Sequence, residues 1–288
     1  MRPLGLLIAV SALLSFCNAK DEMQVEEFVK RHLNSLGTEQ ARSAARNRAV
    51  QGTLQFHMQH QGGTADGKAV FVSEGNKLVS LLKIPSSGYH GERFVSDGKR
   101  TEVATMKPGA YSELGQFVNS HNEIFTTGLW GGTLSTGWPI SDLQGHHVSI
   151  QYVGRKKIDG RELQQFRYMP AKRSDLEIRL FFDPETGRHE MTTYDLTIAP
   201  QLAATEEENA KQKSTTYSIE ERFGDYKQSD GLWLPGRWDI RFTLDVPGDP
   251  AHPQDIARAA RFDTWEFAVS VTSISHNVTL DPKNFEVK

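Results

Sequence analysis

Gly128-Leu-Trp-Gly-Gly-Thr-Leu-Ser-Thr-Gly-Trp138 decides how the rest of this chain is read. It belongs to a longer stretch, Lys107–Pro139, that differs from everything on either side of it. Leu114, Phe117, Val118, His121 and Phe125 fall at i, i+3, i+4, i+7 and i+11, the stripe of one amphipathic helix. Gly128 stands where a helix C-terminus favours a left-handed residue. Leu129, Trp130, Leu134 and Trp138 then alternate with glycines and small hydroxyl residues, so large apolar groups ride on a backbone with wide conformational choice. The expectation is a helix and loop acting together as a lid or plug over an apolar interior. The alternative is a helix that caps a barrel end, its tryptophans filling fixed core positions.

Outward from this stretch the period is two. Leu54, Phe56 and Met58 alternate with polar residues, and strands are expected at Ala69–Ser73, Lys77–Ile84, Gly91–Ser96 and Arg100–Thr105. Beyond it the same pattern recurs at His147–Val153, Glu162–Met169, Leu176–Phe182, His189–Ile198, Thr215–Phe223, Trp238–Val246 and Thr264–Val278. Asn-, Asp- and Gly-rich turns separate these strands, and no βαβ alternation interrupts them. Only Val25–Leu36, with Phe28, Val29, His32 and Leu36 on one face, reads as a further helix. Thr38–Ala49 extends that helix or runs as a connection. The fold class is therefore mainly β with few helices (α+β), an unclosed antiparallel β-barrel of about eleven strands with helices plugging its mouth. Pro200–Lys213 and Pro247–Asp255 read as solvated loops.

Net charge is −3, with 38% hydrophobic and 24% charged residues, which gives no support to nucleic-acid binding. Arg2, the apolar run Leu4–Leu14 and small residues at Cys17 and Ala19 form a secretory signal pattern over residues 1–19. Residues 20–288 are then one exported domain, most simply periplasmic. Cys17 is the only cysteine and leaves with the signal, so disulfides and thiol chemistry are excluded from the mature chain. A lipid anchor on Cys17 is the alternative.

Catalytic and metal-binding motifs are missing from the sequence. Gly132–Gly137 has one residue too many before its serine for a nucleophile elbow. His57 with His60, and His146 with His147, diverge on extended backbone instead of converging on one point. Glu220 and Glu221 are strand neighbours that face opposite ways. No catalytic residue, metal ligand or cofactor is therefore assigned. A surplus of apolar residues remains on one sheet face. The candidate ligand-binding cavity and lid comprise Leu54, Phe56, Phe94, Phe117, Leu129, Trp130, Leu134, Trp138, Ile178, Leu180, Trp238, Ile240 and Phe242.

Several phrases carry a resemblance: Gly52-Thr-Leu-Gln-Phe56, Arg93-Phe-Val-Ser-Asp-Gly98, Leu180-Phe-Phe-Asp-Pro-Glu-Thr-Gly-Arg188, Asp225-Tyr-Lys-Gln-Ser-Asp-Gly-Leu-Trp-Leu-Pro235 and Asn277-Val-Thr-Leu-Asp-Pro-Lys-Asn-Phe285. In this order, after an amphipathic helix, they resemble the LolA-like outer-membrane lipoprotein-sorting group with its LolB- and RseB-type domains. The resemblance implies a helix-plugged open barrel whose apolar cavity holds acyl chains. It also implies an arginine near the cavity mouth, for which Arg93 and Arg100 are the candidates. The expected function is a non-enzymatic exported carrier or binding protein for a lipid or a lipoprotein acyl chain, with a membrane-bound donor or acceptor protein as a further partner. The alternatives are a sensor module of RseB type and an unrecognised hydrolase on a β scaffold.

Overall fold

The computed structural model describes residues 25–59, 63–85, 89–200, 213–248 and 260–288. The expected signal segment with Cys17, and most of the loops Pro200–Lys213 and Pro247–Asp255, lie outside the described residues. A helix over 25–36 (α1) buries Phe28, His32 and Leu36. Gly37, at φ 134°, ends it. A separate short helix, α2 (Glu39–Ala44), follows, capped by Thr38 Oγ1, which accepts from the Ala41 N–H at 3.2 Å.

Five strands then run as consecutive antiparallel neighbours: β1 (Asn47–Met58), β2 (Gly63–Glu74), β3 (Lys77–Lys83), β4 (Gly91–Ser96) and β5 (Thr101–Thr105). After the central stretch come β6 (Ser149–Ile158), β7 (Arg161–Met169), β8 (Glu177–Phe182), β9 (His189–Ile198), β10 (Thr215–Gly224), β13 (Arg237–Val246) and β14 (Arg261–His276). Between β10 and β13 lies a small hairpin, β11 (Lys227–Ser229) and β12 (Leu232–Leu234), of which the sequence marks the turn Ser229-Asp-Gly231 but not the strands. Its turn takes Asp230 and Gly231 to positive φ.

The main sheet has twelve strands in the order β5-β4-β3-β2-β1-β14-β13-β10-β9-β8-β7-β6. Two meanders are thus joined by pairing the first strand with the last, with Phe56 opposite Phe267 and Leu54 opposite Val269. The open edges are β5 and β6, which follow one another in the chain. They do not pair, because the connection between them leaves the rim and passes through the interior. That connection is residues 106–148, the stretch on which the sequence reading turned. An unclosed antiparallel barrel is therefore the fold.

Local burial follows the pleat. On β1 the inward residues are Arg48, Val50, Gly52, Leu54 and Phe56, and their neighbours face outward. The expected single helix in the central stretch is two helices, α3 (Glu113–Ser120) and α4 (Glu123–Thr126). At His121 the backbone leaves helical geometry (φ −125°, ψ 64°), although its N–H still bonds to Phe117 and Val118. The break lets Leu114, Phe117 and Val118 on one helix, and Ile124 and Phe125 on the next, all reach the core. Gly128 takes the expected left-handed conformation (φ 75°).

Candidate functional site

The thirteen side chains singled out from the sequence converge on one interior. Leu54, Phe56, Phe94, Ile178, Leu180, Trp238, Ile240 and Phe242 project from the sheet. Phe117 comes from α3, and Leu129, Trp130, Leu134 and Trp138 come from the loop after α4. All belong to a single buried cluster. Trp130 is its centre and is fully buried. Its ring stacks on Phe125 at 4.9 Å and stands edge-on to Trp238 at 5.7 Å, while Phe94 packs against Phe125 at 5.4 Å.

Two glycines let this loop fit. Gly131 and Gly132 have φ of 80° and 53°, and between them the chain turns into a 3-10 turn, Gly132–Leu134. A Cβ on Gly131 would stand 2.8 Å from the Phe71 ring, and one on Gly132 would stand 2.7 Å from Phe223. Only glycine satisfies both the backbone and the space there.

Polar ties hold the loop on four sides. Arg48, inward on β1, donates from Nη1 to the carbonyls of Thr133 (2.7 Å) and Leu134 (3.0 Å). Its Nε donates to His276 Nε2 at 2.9 Å, and His276 Nδ1 faces Asp230 Oδ2 at 2.9 Å. Burial lowers the Arg48 guanidinium to about 10. Glu221, inward on β10, accepts from the Gly131 N–H and from Trp238 Nε1 at 2.8 Å each, and from the Tyr194 hydroxyl at 2.8 Å. Burial raises this carboxyl to about 7, against the pull of those three donors. Ser73 accepts from the Thr136 N–H at 2.9 Å. Trp138 Nε1 donates to His32 Nε2 at 2.9 Å, so the proton of the neutral His32 ring sits on Nδ1 and is donated to the Gly187 carbonyl at 2.8 Å. Burial lowers His32 to about 4.

Other polar atoms of this region lack partners. Trp130 Nε1, Thr133 Oγ1, Tyr168 OH and His189 Nδ1 are buried without a hydrogen bond among the described residues. His189 lies against Trp138 at 4.7 Å and against Phe223 at 4.6 Å. Desolvation, helped by nearby His32, keeps it neutral far below its ordinary range.

Arg93 and Arg100, the two arginines favoured from the resemblance, are elsewhere. Arg93 donates to the Asn284 carbonyl at 2.7 Å and Arg100 to the Val287 carbonyl at 3.2 Å, so both hold the C-terminal tail on the outer face. The arginine that reaches the interior is Arg48. A signal for it exists in the sequence, since it stands in phase with Val50, Leu54 and Phe56. Glu221 gives the same kind of signal between Ile219 and Phe223. As expected, Glu220 and Glu221 face opposite ways: Glu220 pairs with Arg222 at 2.6 Å on the outer face. Among the described residues no group of three or more His, Cys, Asp or Glu side chains is placed to hold a metal. No described helix is long and apolar enough to cross a membrane.

No family model matches the chain, and no curated protein matches it. Solved structures do. A LolA superfamily protein from Nitrosomonas europaea aligns over 91% of this chain and 97% of its own, at 10% identity and a TM-score of 0.45. A DUF1329 family protein from Desulfovibrio piger gives the same coverage, identity and TM-score. A putative outer membrane lipoprotein-sorting protein domain from Vibrio parahaemolyticus gives 10% identity over 91% and 97%, at a TM-score of 0.44. The chain is similar in structure to LolA superfamily proteins, and the likeness is one of fold.

Proposed function

We propose that this chain is an exported carrier or binding protein that holds the acyl chain of a lipid or lipoprotein in the space now filled by the Leu129–Trp138 loop. It works by burial and has no enzymatic step. The observation that carries this reading is the nature of the filling. The hollow of an open twelve-stranded sheet is occupied by a glycine-jointed loop, not by a strand or a long helix. That loop carries two buried polar atoms, on Trp130 and Thr133, and lies against a third, on His189, that have no hydrogen bond among the described residues. An acyl chain that replaced Leu129, Trp130, Leu134 and Trp138 would gain ~0.8 kcal/mol per methylene removed from water. Rehydrating the loop, and ordering the chain, oppose that gain. The N-terminal signal pattern supports export, and outside the cytoplasm acyl chains in transit need shelter from water.

The test is native mass spectrometry of residues 20–288, purified without detergent from an exporting host, followed by solvent extraction. The expected result is extra mass that extracts as lipid, or uptake of added lipopeptide by the apo protein. A clean apo mass that takes up neither fatty acid nor lipopeptide overturns the reading.

A further inference from the structure

The loop that fills the interior is tied on four sides, so it is a poor door. A second region has the construction of one. A cleft of about 710 Å³ lies between Met58 and Trp265 on one side and Tyr89, His90 and the segment Thr105–Gln116 on the other. Its floor is aromatic and continuous with the core. Tyr89 stands 5.2 Å from Phe56, and Trp265 stands 5.4 Å from Phe242, which in turn lies 5.7 Å from Phe117.

Its rim is polar. Arg261 pairs with Glu113 at 2.7 Å and with Asp263 at 2.6 Å, so both acids of the rim are committed to one cation. His90 and Lys107 also line the rim, and neither is paired with an acid among the described residues.

One buried carboxylate holds the floor and wall together. Glu92 is fully buried on β4 and accepts from the Tyr89 hydroxyl at 2.9 Å, the Ser112 hydroxyl at 2.6 Å and the Ser112 N–H at 2.7 Å. Ser112 is also the N-cap of α3, accepting from the Gly115 N–H at 3.0 Å. Glu92 therefore latches an aromatic ring to the end of the helix that carries Phe117 into the core. An apolar floor, a rim whose one cation not paired with an acid among the described residues is Lys107, and a ring held by one latch match the two ends of an amphiphile.

We propose that this cleft is the entrance and headgroup site for an amphiphile with one acyl chain and an anionic headgroup. Lys107 and His90 face the headgroup, and Tyr89 is the gate past which the chain enters. The proposal rests on the reading that the interior takes acyl chains. Carboxylate and phosphate headgroups share the required charge, and the probes separate them.

Binding of dodecanoate, dodecyl phosphate and dodecyltrimethylammonium, each below its micelle concentration, is measured by calorimetry and stopped-flow tryptophan fluorescence. The two anions are expected to bind about tenfold more tightly than the ammonium, with the tighter anion naming the headgroup. Lys107→Glu lies on an exposed loop and is expected to cut anion affinity by about tenfold while leaving the ammonium unchanged. Tyr89→Phe keeps the ring but not its bond to Glu92, and is expected to raise the association rate several-fold. If all three probes bind alike, and Lys107→Glu changes none of them, the headgroup site is overturned while the carrier reading stands. If the anion preference holds but Tyr89→Phe leaves the association rate unchanged, the gate is overturned. If no probe binds, the headgroup site and the gate are overturned, and the carrier reading is decided by the lipopeptide uptake measured in native mass spectrometry.

Discussion

A carboxylate oxygen of Glu221 accepts the backbone N–H of Gly131 at 2.8 Å, across a separation of 90 positions in the chain. The same residue also serves Trp238 and Tyr194, so one buried side chain couples the interior loop to strands β9, β10 and β13. Removing it with Glu221→Leu leaves three buried donors without an acceptor. At about 1–3 kcal/mol for each, the expected loss is at least about 3 kcal/mol in urea denaturation. Glu221→Gln keeps one carbonyl acceptor and is expected to cost less than half as much. Equal losses would mean that the bonds, as opposed to the packing, contribute little.

The buried titratable groups make the pH dependence of stability specific. Glu221 keeps its proton up to about pH 7 in the fold, against an ordinary value of 4.5. Across that window the unfolded chain ionises and the folded chain does not, so this group removes stability as pH rises, by up to about 3 kcal/mol. His32 works the other way. It is held neutral down to about 4 against an ordinary 6.5, so its contribution is intact above pH 6.5 and is lost as pH falls towards 4. His189 has the same sign. Chemical denaturation of the wild type and Glu221→Gln between pH 4.5 and 8 separates the two. The variant should lose stability more steeply below pH 6.5 and stay flat above it; parallel curves would contradict the assignment.

Arg48 holds the carbonyls of Thr133 and Leu134 with one terminal nitrogen, a geometry that lysine does not reproduce while also donating to His276. Both Arg48→Lys and Arg48→Leu are therefore expected to loosen the loop with the barrel intact. Limited chymotrypsin digestion reads this directly, through faster cleavage after Trp130 or Leu134 at unchanged far-ultraviolet circular dichroism. Wild-type cleavage rates in both variants would show that the clamp is redundant.

Gly131 and Gly160 share a positive φ, 80° and 83°, but differ in their surroundings. A methyl group at Gly131 meets Phe71, whereas one at Gly160 meets nothing within 4 Å. Gly160→Ala should cost only backbone strain, about 1 kcal/mol. Gly131→Ala should add overpacking of about 1–3 kcal/mol. Similar melting temperatures for the two variants would show that the core around Phe71 yields.

The tail offers a test away from the interior. Phe285 is buried with Val79 and Val95, while Arg93 meets the tail at the surface. Phe285→Ala is expected to cost about 3 kcal/mol and Arg93→Ala under about 1 kcal/mol in denaturant unfolding. The reverse order would put the tail's anchorage in its polar contacts.

What the chain shows on its own is local. The alternation on β1, the turn Asp183–Gly187 and the stripe from Leu114 to Phe125 are written in neighbouring residues, because pleat and helix repeat over two and 3.6 positions. The same periodicity, carried back to Arg48 and through Ile219, Glu221 and Phe223, holds a signal for both residues that reading Thr38–Ala49 as helix or connection passed over, and it could not say what either would meet. The break at His121 and the pairing of β1 with β14 were not legible in that way, and at Ser229–Gly231 the turn was legible but its two short strands were not. Nor was the passage of residues 106–148 through the hollow, which leaves β5 and β6 as open edges. The pairing and the passage depend on contacts between residues a hundred or more positions apart, as with Trp138 and His32 or Arg48 and His276. Such partners are chosen by which surfaces can share one interior after the chain has closed on itself, and no local period carries that information.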